Sequence, residues 1–118
     1  MWGDTAPTGP EIALYLTSRP STLTITYSDV QGGEAAVYVD PGCTLNWGAG
    51  MIDADPLFVP GPGGNFYLSQ TAAGQGSDSP CINAGSGTAV SLGLDDKTTR
   101  TDGLPDTGMV DMGYHYQP

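Results

Sequence analysis

Residues 22–30, Thr-Leu-Thr-Ile-Thr-Tyr-Ser-Asp-Val, alternate apolar and hydroxyl side chains. Leu23, Ile25 and Tyr27 fall on one face of an extended segment, and Thr22, Thr24, Thr26 and Ser28 on the other. That is the period of a half-buried strand, and the threonines suit a pleated surface. The same alternation places Ile12, Leu14 and Leu16 on one face of a shorter strand that Pro20 ends. Ala35–Val39 reads as another strand, closed by the turn chemistry of Asp40-Pro41-Gly42. Residues 43–51 read as a structured loop around Trp47, and 60–65 as a Pro/Gly loop. Short strands are expected at the end of 52–59, at Phe66–Leu68 and at Val90–Leu92. Helical periodicity is nearly absent. The strands vary in spacing, and no Asn-Gly or Asp-Gly turn joins two alternating runs, so a solenoid fits the pattern better than a hairpin sandwich.

Composition narrows the class. In 118 residues, 18 glycines and 10 prolines make the chain rich in turns, while 38% hydrophobic content is enough for a folded core. One domain, 1–118, is expected at this length. Three basic residues against 13 acidic ones give a net charge of −10. Such a surface does not neutralise phosphates, so nucleic acid is excluded as a partner. No apolar run is long enough to insert in a membrane. Met1-Trp2-Gly3-Asp4 has neither the basic stretch nor the apolar core of a signal peptide.

Several motifs occur together and in order. They are Tyr27-Ser28-Asp29-Val30-Gln31-Gly32-Gly33, then Ile52-Asp53-Ala54-Asp55-Pro56-Leu57-Phe58-Val59, then Tyr67-Leu68. Ser79-Pro80-Cys81-Ile82-Asn83-Ala84-Gly85 and Arg100-Thr101-Asp102-Gly103 through Val110-Asp111-Met112-Gly113-Tyr114 follow. Over nearly its whole length the chain resembles the C-terminal end of bacterial right-handed parallel β-helix repeat proteins, the pectate-lyase-like, choice-of-anchor group. It departs at Asn83, where an aspartate is commoner, and it is much shorter than members of that group. The resemblance implies an all-β fold, a short right-handed parallel β-helix with long irregular loops. Residues 1–20 would form an N-terminal cap or interface strand, and residues 86–118 a C-terminal cap. It also implies an extracellular or cell-surface location, as part of a longer exported parent.

The terminal coil of such a solenoid exposes sheet edges and core side chains, which favours association. A homodimer or higher oligomer is therefore expected through the N-terminal coil face, with Trp2, Ile12, Leu14 and Leu16 at the interface. The leading expectation is a non-catalytic structural and assembly module.

Candidate chemistry is sparse. The single histidine, His115, lies between two tyrosines and reads as a solvated or aromatic-packed side chain. Arg19, Lys97 and Arg100 read as solvated charges or carboxylate partners, and Asp95, Asp96, Asp102 and Asp106 as a solvated acidic loop. No catalytic residue is assigned. A remnant polysaccharide lyase or hydrolase is the weakest alternative. A carbohydrate-binding module is the stronger one, with Trp47, Tyr38 and Tyr67 as ring platforms. Polysaccharide is then the candidate partner. Asp53 and Asp55 could approach one calcium ion, the one candidate cofactor, or could accept backbone N–H bonds in turns. Cys43 and Cys81 read either as buried thiols or as one disulfide.

Overall fold

The threonine-rich alternation forms a strand, but a shorter one than the pattern predicts. In the computed structural model, which describes residues 1–118, β1 spans Ala13–Leu14 and β2 spans Thr22–Ile25. β3 follows at Tyr38–Val39 and β4 at Thr44–Trp47. β2 exposes Thr22 and Thr24 and half-buries Leu23 and Ile25, as the alternation predicts. It ends because Tyr27 takes a positive φ of 45° and lays its ring on Gly50, where a Cβ would lie 2.3 Å from Tyr27 Cδ1. The predicted strand at Ala35–Val39 is divided, with a 3-10 turn at Glu34–Ala36 preceding β3.

Residues 43–51 are not simply a loop, because they contain β4. Thr44-Leu45-Asn46-Trp47 alternates as Thr22–Ile25 does, and pairs with it in parallel, Leu23 opposite Leu45 and Ile25 opposite Trp47. On the outer face Asn46 Nδ2 donates to Thr24 Oγ1 at 3.1 Å.

All the parallel pairing lies in the first of two units, Met1–Ala54. Ala13 pairs with Tyr38, 25 residues on; Thr22 with Thr44, 22 on; and Asp29 with Ile52, 23 on. Three pairings therefore recur in the same order along the chain. Parallel partners require a long crossover, and each intervening segment supplies one. Leu14 and Val30 are the buried apolar side chains of this unit.

The second unit, Asp55–Pro118, is built differently. β5, Phe58–Gly61, and β6, Gly64–Leu68, form an antiparallel hairpin over Pro62-Gly63. The predicted Pro/Gly loop at 60–65 is thus a hairpin turn and its flanks. Pro60 lies where the register shifts, a position at which its missing N–H costs no ladder bond. The hairpin glycines admit two stacked rings, Tyr67 and Tyr116, whose centroids are 4.0 Å apart. A Cβ on Gly61 would lie 2.6 Å from Tyr67 Cδ2.

Val90 and Leu92 do not form the expected strand. They lie on a one-turn helix, α1, Ala89–Leu92. Thr88 caps its start by accepting from Ser91 N at 3.1 Å, and Gly93 closes it in the left-handed region. Isolated antiparallel bridges join Thr88 to Met109 and Thr98 to Tyr116. The buried apolar side chains are Pro56, Tyr67, Leu68, Cys81, Ala89 and Val110. The fold is thus β-rich, with small mixed sheets and little helix. No helix is long and apolar enough to cross a membrane.

Candidate functional site

The expected aromatic platforms differ in access. Trp47, at the end of β4, is half-buried opposite Ile25 rather than presented on a loop. Tyr38 is half-buried against Tyr15, with ring centroids 5.1 Å apart, and its hydroxyl donates to Asp40 Oδ1 at 2.6 Å. That bond raises the Tyr38 pKa, helped by the charge of Asp40, and is the main cause of the lowered Asp40 pKa. Tyr67 offers no face to a sugar. It is 2% exposed, stacked on Tyr116, and its hydroxyl accepts from Gly63 N at 2.9 Å.

Asp53 and Asp55 each serve a turn. Asp53 Oδ1 accepts from Gly32 N at 2.9 Å, and Asp55 Oδ1 from Leu57 N at 2.9 Å. No group of three or more His, Cys, Asp or Glu side chains is placed to hold a metal ion. Cys43 is half-buried and Cys81 is buried. Of the expected interface residues, Leu14 is 8% exposed, Trp2 and Ile12 are half-buried, and Leu16 is 42% exposed.

A polar cluster in the second unit was not anticipated. Asp106 and Asp111 are each 6% exposed. Asp111 Oδ2 accepts from Thr99 Oγ1 at 2.5 Å and Gln70 Nε2 at 3.3 Å, and its Oδ1 accepts from Asn83 N at 2.7 Å. Burial pushes the Asp111 pKa up; the bonds from Thr99 and Asn83 pull against it. Asp106 Oδ2 accepts from Asp111 N at 2.9 Å and faces His115 Nε2 at 2.9 Å. The other ring nitrogen, Nδ1, faces Gly113 O at 3.1 Å. His115 is therefore neither solvated nor merely aromatic-packed, and Asp106 is not part of a solvated loop.

Gln70, Ile82, Asn83, Arg100, Asp106 and Asp111 border a cavity of about 130 Å³. Arg100 is turned to Asp102, with Nε–Oδ1 at 2.9 Å and Nη2–Oδ2 at 2.5 Å, and its Nη2 also reaches Ala72 O at 3.2 Å. Lys97 pairs with Asp96 at 2.7 Å. Both ring nitrogens of His115 are occupied by acceptors, so the ring is not free to activate a nucleophile in the manner of a triad. One sequence signal did mark the cluster: Asp111 is a carboxylate between Val110 and Met112, an apolar context in which charge is rare unless it is partnered. No protein-family model, curated protein or solved structure matches the chain.

Proposed function

We propose that the chain is the end of a right-handed parallel β-helix, acting as a non-catalytic assembly module that joins a second copy of itself through the outer edges of β1 and β2. The observation that carries this reading is the ordered set of three parallel pairings at 25, 22 and 23 residues. Such a set is what two stacked coils would give, and parallel crossovers of this kind are right-handed in nearly all proteins. β1 and β2 each belong to a two-stranded sheet, so each has one unpaired edge. Leu23, Ile25, Leu45 and Trp47 share the inward register yet are only half-buried. Unpaired edges beside incompletely buried apolar side chains favour pairing with another chain. The N-terminus illustrates the tendency: Met1 N donates to Asp29 O at 2.6 Å and Gln31 N donates to Met1 O at 3.1 Å, laying one more segment beside the third pairing. The engaged state of His115, Lys97 and Arg100 supports the absence of catalysis.

Light scattering on a sizing column tests the reading. The wild-type chain should elute at twice 12.1 kDa or more. Leu23→Asp and Ile12→Asp should shift it to a monomer with unchanged near-ultraviolet circular dichroism. A wild-type monomer at every concentration up to about 1 mM, where even weak association is visible, would overturn the proposal.

A further inference from the structure

The cavity beside Asp106 holds two hydrogen-bond acceptors that the protein leaves without donors. The Asp106 side chain is 4% exposed. Both of its contacts, from Asp111 N and His115 Nε2, fall on Oδ2, and Oδ1 accepts nothing. Gln70 is 7% exposed, and its Nε2 donates to Thr99 Oγ1 and Asp111 Oδ2. The carboxylate fixes that amide's orientation, because only the NH₂ end can face it. Gln70 Oε1 therefore accepts nothing either. The one unpaired polar side-chain atom sealed from solvent in the chain is Glu11 Oε2. Asp106 Oδ1 and Gln70 Oε1 thus open onto accessible space, and both residues border the cavity.

A ligand that satisfies two acceptors must bring donors. Charge decides what kind. The titratable and charged groups around the cavity are Asp106, Asp111, His115 and Arg100. Arg100 is neutralised by the two-point pairing with Asp102. Even with His115 as an imidazolium against Asp106, the second carboxylate leaves the site one charge negative. A cationic donor is then favoured over a neutral hydroxyl. A metal ion is disfavoured, since no three ligating side chains converge. A cavity of about 130 Å³ suits a compact group, and an ammonium carries three rotatable donors at a single centre. Ile82 and Pro105 supply apolar wall for a methylene stem.

The geometry points to a binding site for a primary alkylammonium group, with Asp106 Oδ1 and Gln70 Oε1 as its acceptors. Two sources share that chemistry, a free small amine and a lysine side chain of a polypeptide.

Calorimetry and side-chain amide NMR on the full chain at pH 7 test the site, with n-butylammonium chloride as probe. Saturable one-to-one binding in about the millimolar range is expected, which is realistic for a ligand of five heavy atoms. The Gln70 side-chain resonances should move with it. 1-Butanol and N-butylacetamide, which keep the stem and lose the charge, should bind at least tenfold more weakly. Asp106→Asn should weaken the ammonium at least tenfold; because that variant loses its partner for His115, the neutral-analogue comparison on the unaltered protein stands as the deciding measurement. An acetylated, amidated Gly-Lys-Gly peptide is the second arm. If it binds with the same Gln70 shifts, the source is a lysine side chain; if only butylammonium binds, the source is a free amine. Equal binding of butanol and butylammonium, or no saturable binding of butylammonium, would overturn the assignment.

Discussion

Replacing Thr99 by valine removes one hydroxyl and almost no volume. Thr99 is 1% exposed, and its Oγ1 both donates to Asp111 at 2.5 Å and accepts from Gln70 at 3.1 Å. The variant loses a bond to a charged group in a dry setting, which typically contributes about 1.5–3 kcal/mol. Asp111 keeps the bonds from Gln70 and Asn83, so a loss of about 2 kcal/mol at pH 7 is expected. The loss should depend on pH, with a definite sign. The Asp111 pKa is raised in the folded protein, chiefly by burial. Between its ordinary value of 3.8 and that raised value the folded state holds a proton the unfolded state has released, so stability falls as pH rises through this window. Thr99 opposes the rise, and Thr99→Val should extend the window upward. The stability difference should therefore grow with pH and level off above the window, reaching about 2 kcal/mol from about 1 kcal/mol in acid, where only a neutral bond is lost. Urea unfolding measures it. Trp2 and Trp47 both lie in the first unit, so tyrosine near-ultraviolet circular dichroism, to which the Tyr67–Tyr116 stack contributes, should follow the second. At pH 7 the midpoint should drop by about 1 M, given an m-value of about 1–3 kcal/mol/M. A loss under about 0.5 kcal/mol, below the usual value of even a neutral bond, or an equal loss at both ends of the pH range, would refute the role assigned to Thr99.

Three further substitutions test the packing and the electrostatics of the Tyr38–Asp40 pair. Gly85→Ala should destabilise the second unit by about 1–3 kcal/mol, because the new Cβ would sit 2.2 Å from Val110 Cγ1 and 2.8 Å from the Val110 carbonyl oxygen, whereas Gly76→Ala, with nothing within 4 Å, should be neutral or slightly stabilising in the same urea titration. Tyr38→Phe should move the Asp40 carboxyl back up toward 3.8 in a carbonyl NMR titration. The lowered value supplies stability that is present above 3.8 and lost as pH falls through the folded pKa, so the variant should show a weaker acid dependence in that range.

The legible parts of the sequence were those in which one local pattern acted alone. Thr22–Ile25 showed its faces because each alternate residue is hydroxylated. Thr44–Trp47 repeats the pattern, but Asn46 and the neighbouring Gly48 read as loop residues, and only the partner strand reveals the pairing. β1 and β3, with two residues each, are too short for periodicity to fix their bounds. Val90 and Leu92 sit two apart and suggest a strand. Val90 is nevertheless 71% exposed, and the caps at Thr88 and Gly93 decide for a helical turn. Pro60 hid the hairpin, since a proline argues against a strand unless a register shift receives it. The polar cluster was hidden for another reason. Its bonds join residues up to 41 positions apart, and no local window shows that Gln70, Thr99 and Asp111 meet.

The second unit buries six apolar side chains, Pro56 among them, and seven polar ones, so apolar packing alone does not select its loop conformations. Hydrogen bonds from buried hydroxyls and carboxylates do. Ser79 Oγ donates to Pro56 O at 2.6 Å and accepts from Cys81 N at 3.1 Å, tying the 79–81 turn to the start of the unit. Thr98 Oγ1 donates to Leu104 O at 2.7 Å, and Asp106 N to Lys97 O at 2.8 Å, closing the 97–106 loop. Asp111 then joins that loop's neighbours to Gln70, Thr99 and Asn83. Buried polar networks specify one arrangement only when their members are satisfied, and an incomplete one is worse than an apolar core. This network is complete at Asp111 and incomplete at Asp106 Oδ1 and Gln70 Oε1, both beside a cavity its members share. The incompleteness is therefore confined to a place where an external donor can reach it. A scaffold of hydrogen bonds that closes everywhere except at an accessible pocket has the form of a binding site, and the same residues that order the loops hold its two open acceptors in place.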